Sequence, residues 1–258
     1  MELKVKCPSC QNTEKLESLE KVKNYSIVHC LNCDLFFTNP TISPSRNWYE
    51  KVLVDKTAMV IPEVWLKWQK KIHNKFFKKD GNGKMLLDAG CGDGEFIKKA
   101  QEKGYKVTGV DLNRILISKI KEKYNLEVYA IRFEEFVSKF PHRTFDVITL
   151  FEVLEHTSNL GKFFSLIKSK LKPGGFIALS VPNRNRFRLG HKRFPEWDSP
   201  PHHLTWWNTG SLKRFLTLMG FKILEFKEFK RVLKSKNEQK EVKVNGPYLY
   251  AFAQKTEI

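Results

Sequence analysis

The sequence predicts a doubly wound α/β sheet with a small cysteine ribbon in front of it, on three observations. Residues 85–113 read as an apolar strand, a glycine-rich turn, an amphipathic helix and a second apolar strand that stops at Asp111; this is a βαβ unit with an expected right-handed crossover. Apolar strands at 127–130, 145–150 and 176–181 then alternate with helical segments at 114–124 and 160–171, the pattern of a parallel sheet covered on both faces. Ahead of them stand Cys7-Pro8-Ser9-Cys10 and Cys30-Leu31-Asn32-Cys33, two Cys-x-x-Cys knuckles.

The chain of 258 residues suffices for one α/β domain of ordinary size plus an appendage. No apolar run is long enough to span a bilayer, and the start Met1-Glu2-Leu3-Lys4 is no signal peptide, so a soluble, cytoplasmic protein is expected. The formal net charge of +18 favours polyanionic or phosphorylated partners. Because the lysines are spread along the whole chain, a lysine-rich proteome such as a thermophile's explains it equally well.

Residues 1–40 read as a zinc ribbon. Thiolates of Cys7, Cys10, Cys30 and Cys33 can close a tetrahedron around zinc, preferred over disulfides because an ordinary cytosol reduces them. The strands expected at 15–20 and 25–29 are too short and polar to bury a core, so folding there depends on the ion. Structural docking is preferred over substrate recognition, since closed zinc sites are non-catalytic. In the linker 41–83, Trp48, Tyr49, Val64, Trp65, Trp68, Ile72, Phe76 and Phe77 recur near helical spacing. They predict one or two amphipathic helices that cover the sheet edge or cap a pocket, with Trp65, Trp68, Ile72 and Phe76 in the core. Asp80-Gly81-Asn82-Gly83 then opens the domain 84–258.

In that domain Asp88 ends the first strand, and Gly90, Gly92 and Gly94 follow at alternate positions with Cys91 as a small packing residue between them. Bare backbone lets a ligand approach closely, and a carboxylate at the next strand tip, Asp111, can accept the hydroxyls of a ribose. A dinucleotide site would put a further glycine three residues after Gly92 and a pyrophosphate on the helix terminus. Glu95 stands there, and with Asp93 it would repel a phosphate. The site therefore wants a nucleoside without one.

At these residues the sequence resembles the class I S-adenosylmethionine-dependent methyltransferases, whose first motif is a strand-terminal acid followed by G-x-G-x-G, with a ribose-binding acid at the end of the second strand. The resemblance runs from about residue 84 to the C-terminus. It implies a Rossmann-like, seven-stranded sheet with an antiparallel last strand, and S-adenosylmethionine as cofactor. It also implies cofactor contacts from Asp88, Gly90, Cys91, Gly92, Gly94, Asp111, Leu112 and Asn113. Arg132 stands where the family often carries an acid facing adenine, so backbone groups of Arg132 and Phe133 are expected to serve. Phe151 and Glu152 are expected on the methionine side. The ribbon followed by Phe37-Thr38-Asn39-Pro40 is similar to one found on bacterial methyltransferases of glycan and secondary-metabolite pathways; some ribosomal RNA methyltransferases also carry a four-cysteine element.

Glu152, Glu155 and His156 have i, i+3, i+4 spacing, which on a helical turn puts all three on one face. Two carboxylates and an imidazole suit an oxygen-preferring or borderline divalent ion. The same E-x-x-E-H occurs in ubiquinone-pathway O-methyltransferases and small-RNA 2′-O-methyltransferases, which implies a magnesium-type ion. A structural His156 that caps or orients the loop is the preferred reading, and the ion is the alternative. Leu171-Lys172-Pro173-Gly174-Gly175 is a further family hallmark and a turn that launches the strand 176–181.

Residues 182–207 are too long and polar for a simple connection and leave from the carboxyl end of a strand, so they read as a substrate-side insertion. Their arginines can clamp phosphate or carboxylate, and Phe187, Trp197 and Trp206 offer flat apolar walls; a solvated surface loop is the plainer alternative. The resemblance implies a histidine just before the next helix, hence His202 or His203 at the pocket. Asn208 to Ser211 cap a helix expected at 212–219. Strands at 221–229 and 248–254 form the last pair, joined by a solvated lysine-rich loop, 230–243.

The expected function is methyl transfer from S-adenosylmethionine to a small-molecule or glycan-type acceptor, on oxygen, with a phosphate on the acceptor as an option. His156, His202 and His203 are the candidate bases. An RNA methyltransferase is the runner-up, and a non-catalytic S-adenosylmethionine-binding regulatory module is the alternative of another class.

Overall fold

The structure, a computed structural model, describes residues 5–57, 63–186, 198–234 and 241–256; the side chains of 52–66 and 231–245 lie outside the description. The N-terminal unit is an antiparallel meander of β1 (Leu16–Val22), β2 (Tyr25–Cys30) and β3 (Leu35–Asn39). The third strand goes beyond the two expected from sequence. It forms because Leu35 and Phe37 alternate inward and are buried with Cys7 and Cys30. Helices α1 (Arg46–Thr57) and α2 (Glu63–Phe76) follow. On α2, Trp68, Ile72 and Phe76 recur every four residues and are buried; Ile72 and Phe76 each contribute about 1.5–3 kcal/mol by leaving water. The side chain of Trp65 lies outside the described residues.

The glycine-rich unit forms β4 (Met85–Ala89), α3 (Glu95–Glu102) and β5 (Lys106–Asp111). Next come α4 (Arg114–Tyr124), β6 (Val128–Ala130), α5 (Phe133–Lys139), β7 (Phe145–Phe151), α6 (Leu160–Lys170) and β8 (Leu171–Pro182). The Lys172–Gly175 turn falls inside β8 rather than ahead of it, and the ladder with β7 shifts register there. The chain ends with β9 (Thr205–Trp206), α7 (Thr209–Leu218), β10 (Phe221–Lys234) and β11 (Glu241–Lys255). Helix α7 starts three residues earlier than expected because Asn208 and Ser211 form a reciprocal capping box. Strands β10 and β11 also reach into the lysine-rich tract expected as a loop; residues 235–240 lie outside the described residues.

The large sheet has seven strands in the order β10-β11-β8-β7-β4-β5-β6. Strands β4 to β8 pair in parallel, and β11 runs antiparallel to both neighbours. Leu87, Ile148 and Leu179 face one apolar layer with Phe136, Phe164 and Phe215, whereas Leu86, Val147 and Ala178 face the other with Phe76, Ile97 and Ile117. Both faces are covered, which explains the unbroken apolar strand runs. The chain reverses direction across the sheet at β4, so the crevice beyond its carboxyl end is the switch point where ligands bind in such folds.

The short strand β9 does not join this sheet. It extends the ribbon, pairing antiparallel with β3 through Phe36 opposite Trp206 and Phe37 opposite Thr205. Cys7, Leu35, Phe37 and Trp207 share the apolar layer of Phe164 and Phe215, so ribbon and sheet pack as one core.

Candidate active site

The turn after β4 is held by the neighbouring strand. Gly90 and Cys91 donate their amides to the Val110 carbonyl at 2.8 and 3.0 Å. Asp111 accepts the Gly92 amide on one carboxylate oxygen at 3.0 Å and the Asn113 amide on the other at 2.8 Å, which clamps the turn to the start of α4. Gly90 and Gly92 take φ of +91° and +55°, values that favour glycine. A Cβ on Gly90 would lie 2.7 Å from Val153 Cγ2, whereas the space beside Gly92 is open for 4 Å. Burial holds the Asp111 carboxyl above its ordinary range, with the Asn113, Gly92 and Leu112 amides pulling it back.

A cavity of about 390 Å³ opens there. Gly90, Gly92, Asp111, Leu112, Arg132, Phe133, Glu152, His156 and His202 line it. Asn113 lines it too, but its side chain caps α4 by accepting the Leu116 amide at 3.0 Å. Asp88, Cys91, Gly94, Phe151 and His203 do not line it. Asp88 is buried behind the turn, takes the Thr149 hydroxyl at 2.6 Å and is pushed up to about 7 by burial, with Asp111 and Asp93 adding to it. Cys91 is buried. Phe151 turns into an aromatic layer, 4.8 Å from Phe96 and 5.4 Å from His73.

The helical turn expected over Glu152, Glu155 and His156 is absent. Glu152 sits in the left-handed region at φ +58° with its amide on the Ser180 carbonyl at 3.1 Å, and a short 3-10 turn, Leu154–His156, follows. Glu152 accepts the Ser180 hydroxyl at 2.7 Å. His156 Nε2 lies 4.0 Å from Glu155 Oε1. Its Nδ1 lies 2.6 Å from the His202 carbonyl and must carry the proton, since a carbonyl only accepts. Glu155 is 1% exposed, and among the described residues neither of its carboxylate oxygens has a hydrogen-bond partner. Burial raises Glu152 to about 7, and burial together with Glu152 raises Glu155 well above its ordinary value.

His156, His202 and His203 bring ring nitrogens within 4.8 Å of one another. His203 is buried, and its Nδ1 lies 2.6 Å from the Asp198 carboxylate, which takes the Arg186 guanidinium on the same oxygen at 2.6 Å. Burial lifts Asp198 to about 6 despite the Arg186 charge. Sequence reasoning missed Asp198, although an aspartate five residues before a histidine in a polar insertion is a readable cue. It also missed Tyr49 as a pocket residue. The α1 helix brings Tyr49 to the cavity wall, its ring 6.3 Å from His156, with Trp48 6.0 Å from His202.

Two expectations for the insertion need correction. Arg184 and Arg186 pair with Asp34 and Asp198 within the protein, so neither serves as an anion clamp. Trp206 is no exposed wall, because pairing with β3 buries it and its indole N–H donates to the Asp198 carbonyl at 3.0 Å. Phe187, Arg188, Arg193 and Trp197 lie outside the described residues.

In the ribbon Cys7 and Cys33 sulfurs are 3.5 Å apart, Cys10 and Cys30 3.6 Å, and all four lie within 4.8 Å. Disulfide sulfurs would be about 2.05 Å apart, whereas four thiolates at about 2.3 Å from one tetrahedral ion stand roughly 3.8 Å apart. The cluster fits an ion. The Cys7–Cys33 hydrogen bond pulls the Cys33 thiol down to about 5 and pushes its partner up.

A seven-stranded sheet with one antiparallel strand, a glycine turn and an acid at the adjoining strand tip define the class of S-adenosylmethionine-dependent methyltransferases. The chain belongs to the family described as "Methyltransferase domain", which it matches over residues 64–225. It is 34% identical over 107 residues to a ubiquinone biosynthesis O-methyltransferase of Saccharophagus degradans, covering 40% of this chain and 45% of that one. It is 28% identical over 144 residues to a probable S-adenosylmethionine-dependent methyltransferase of Mycolicibacterium smegmatis, covering 55% of this chain and 53% of that one. The chain thus spans about half the length of these curated relatives. A crystal structure of a SAM-dependent methyltransferase from Archaeoglobus fulgidus has the same fold at a TM-score of 0.61 and 20% identity, over 80% of this chain and 99% of that one. Among the described residues no helix is long and apolar enough to cross a membrane.

Proposed function

We propose that the protein transfers the methyl group of S-adenosylmethionine to a hydroxyl of a small-molecule or glycan-type acceptor. The observation that carries this reading is that Glu152, His156 and His202 line one cavity with bare glycine backbone and Asp111, while the buried Glu155 lies 4.0 Å from His156. Asp111 and the Gly90–Gly92 backbone hold the ribose end of the cofactor, and Arg132 and Phe133 flank its base. The sulfonium is already a good leaving group, so the protein has to align the acceptor oxygen in line with the methyl carbon and take its proton. His156 Nε2, the nitrogen left to accept when Nδ1 donates to the His202 carbonyl, is the preferred base, with His202 beside it on the cavity wall.

The oxygens of Glu155, which accept no hydrogen bond among the described residues, also fit a divalent cation. In that case Glu152, Glu155, His156 and His203 would hold it, His156 Nε2 serving as a ligand instead of the base and Asp198 orienting His203. Mixed carboxylate and imidazole donors suit manganese, iron, cobalt or zinc at least as well as magnesium. When bound, the ion would lower the pKa of the acceptor hydroxyl. In the ribbon, Cys7, Cys10, Cys30 and Cys33 would hold a structural zinc, a role supported by the spacing of their sulfurs.

The test is incubation with methyl-labelled cofactor and cell extract divided into RNA, lipid, glycan and small-molecule fractions. Label is expected in the glycan or small-molecule fraction as an ether or ester. The charge of +18 favours an RNA acceptor as the second reading; label in bulk RNA, with affinity falling steeply as salt rises, would establish it instead.

A further inference from the structure

Asp34 follows Cys33 directly, takes φ +58° and donates its amide to the Cys30 carbonyl at 2.7 Å, so it belongs to the second cysteine knuckle. Its carboxylate accepts from Arg184 Nη2 at 2.8 Å, from the side-chain amide of Asn208 and from the His29 ring at 2.8 Å; Arg184 Nη1 bonds the Asp34 carbonyl as well. Arg184 and Asn208 stand at the two ends of the insertion that carries His202 and His203. One carboxylate on the knuckle therefore gathers both ends of that segment. The guanidinium also lies 3.8 Å over the Phe36 ring of β3, on which β9 is laid.

We propose that Asp34 is a positioning residue for the acceptor side of the site: it joins the four-cysteine cluster to the segment that brings His202 and His203 against Glu155 and His156. The path is continuous. Thr38 of β3 donates its amide to the Leu204 carbonyl at 2.9 Å, Leu204 donates its own to the Glu155 carbonyl at 2.7 Å, and His156 bonds the His202 carbonyl. Nothing comparable reaches the cofactor side. Among the described residues no hydrogen bond links the ribbon to the glycine turn or to Asp111, which are held by β4 and β5. An ion in the ribbon thus fixes the histidines and leaves the nucleoside end alone. This role rests on the methyl-transfer reading for its purpose, but the coupling does not need turnover to be measured.

The experiment compares the zinc-loaded full chain with Asp34→Ala, Asp34→Asn and Arg184→Met by metal analysis, peptide-resolved hydrogen exchange and calorimetry with S-adenosylhomocysteine. The expected result is zinc content unchanged in all, with exchange in 198–207 and 152–156 about tenfold faster in Asp34→Ala and Arg184→Met. Asp34→Asn, whose amide oxygen still accepts from Arg184, should recover most of that protection. Exchange in 88–113 and the affinity for S-adenosylhomocysteine should stay within about twofold of the parent. Unchanged exchange in 198–207 with Asp34→Ala would overturn the proposal. So would loosening that spreads equally to 88–113 or is not recovered by Asp34→Asn, because that pattern belongs to a ribbon that only adds stability.

Discussion

Asp198 lies 2.6 Å from Nδ1 of His203 and takes Arg186 on the same oxygen, so a buried carboxylate orients the imidazole. Outer-shell carboxylates of this kind typically account for 10–100-fold in metal affinity. Asp198→Asn is therefore expected to weaken Mn²⁺ binding by about that factor, read from the free-ion electron paramagnetic resonance signal. Unchanged affinity would take His203 out of the ligand set.

Glu155 presents the opposite balance of stability and function. A buried carboxyl that accepts no hydrogen bond among the described residues costs free energy in the ion-free protein, so Glu155→Gln should melt at or above the parent temperature in chelator. The same variant should lose most of the stabilisation that Mn²⁺ gives the parent. Thermal unfolding with and without the ion reads both effects.

In the cavity, Asp111→Ala removes the clamp on the Gly92 and Asn113 amides together with the acceptor proposed for the ribose hydroxyls. Loss of charge-assisted hydrogen bonds on this scale lowers affinity about 10- to 100-fold or more. Calorimetry with S-adenosylhomocysteine should show it while circular dichroism stays native.

Asp88 supplies a pH signature. Burial raises it to about 7 from an unfolded value near 3.9, so the folded chain binds this proton more readily than the unfolded one. Its contribution to stability is full below about pH 4 and is lost as pH rises toward 7. Asp88→Asn keeps an oxygen for the Thr149 hydroxyl and removes that loss. Urea unfolding should show the variant gaining on the parent between pH 4 and 7, and by a constant margin above.

Cys30→Ser is expected to lower zinc content from about one per chain to near none, since a structural site needs all four ligands. Metal analysis after dialysis reads it directly.

The sheet was legible because its signals are local. The glycine turn, the acid at the strand tip and the apolar runs lie within about 30 residues of one another, and Asn208 and Ser211 announce their helix in four letters. What stayed hidden depends on residues far apart in sequence. Trp206 looked like a wall for a ligand because nothing near it in the chain reveals that Phe36, 170 residues earlier, would cover it. Arg184 looked like an anion clamp because Asp34 is equally remote. The E-x-x-E-H spacing was wrong about conformation, since the left-handed kink at Glu152 replaces the helical turn. Tyr49 was visible only as one aromatic among many on a helix whose docking site the sequence did not reveal.

The pairing of β9 with β3 makes residue 40 a poor place to cut. A fragment starting there would keep every residue of the cofactor crevice yet leave Thr205 and Trp206 as an open strand edge, with two indoles stripped of their cover. Such a fragment is more prone to self-association than the parent, and a survey of the catalytic half by itself would mistake its insolubility for a property of the enzyme.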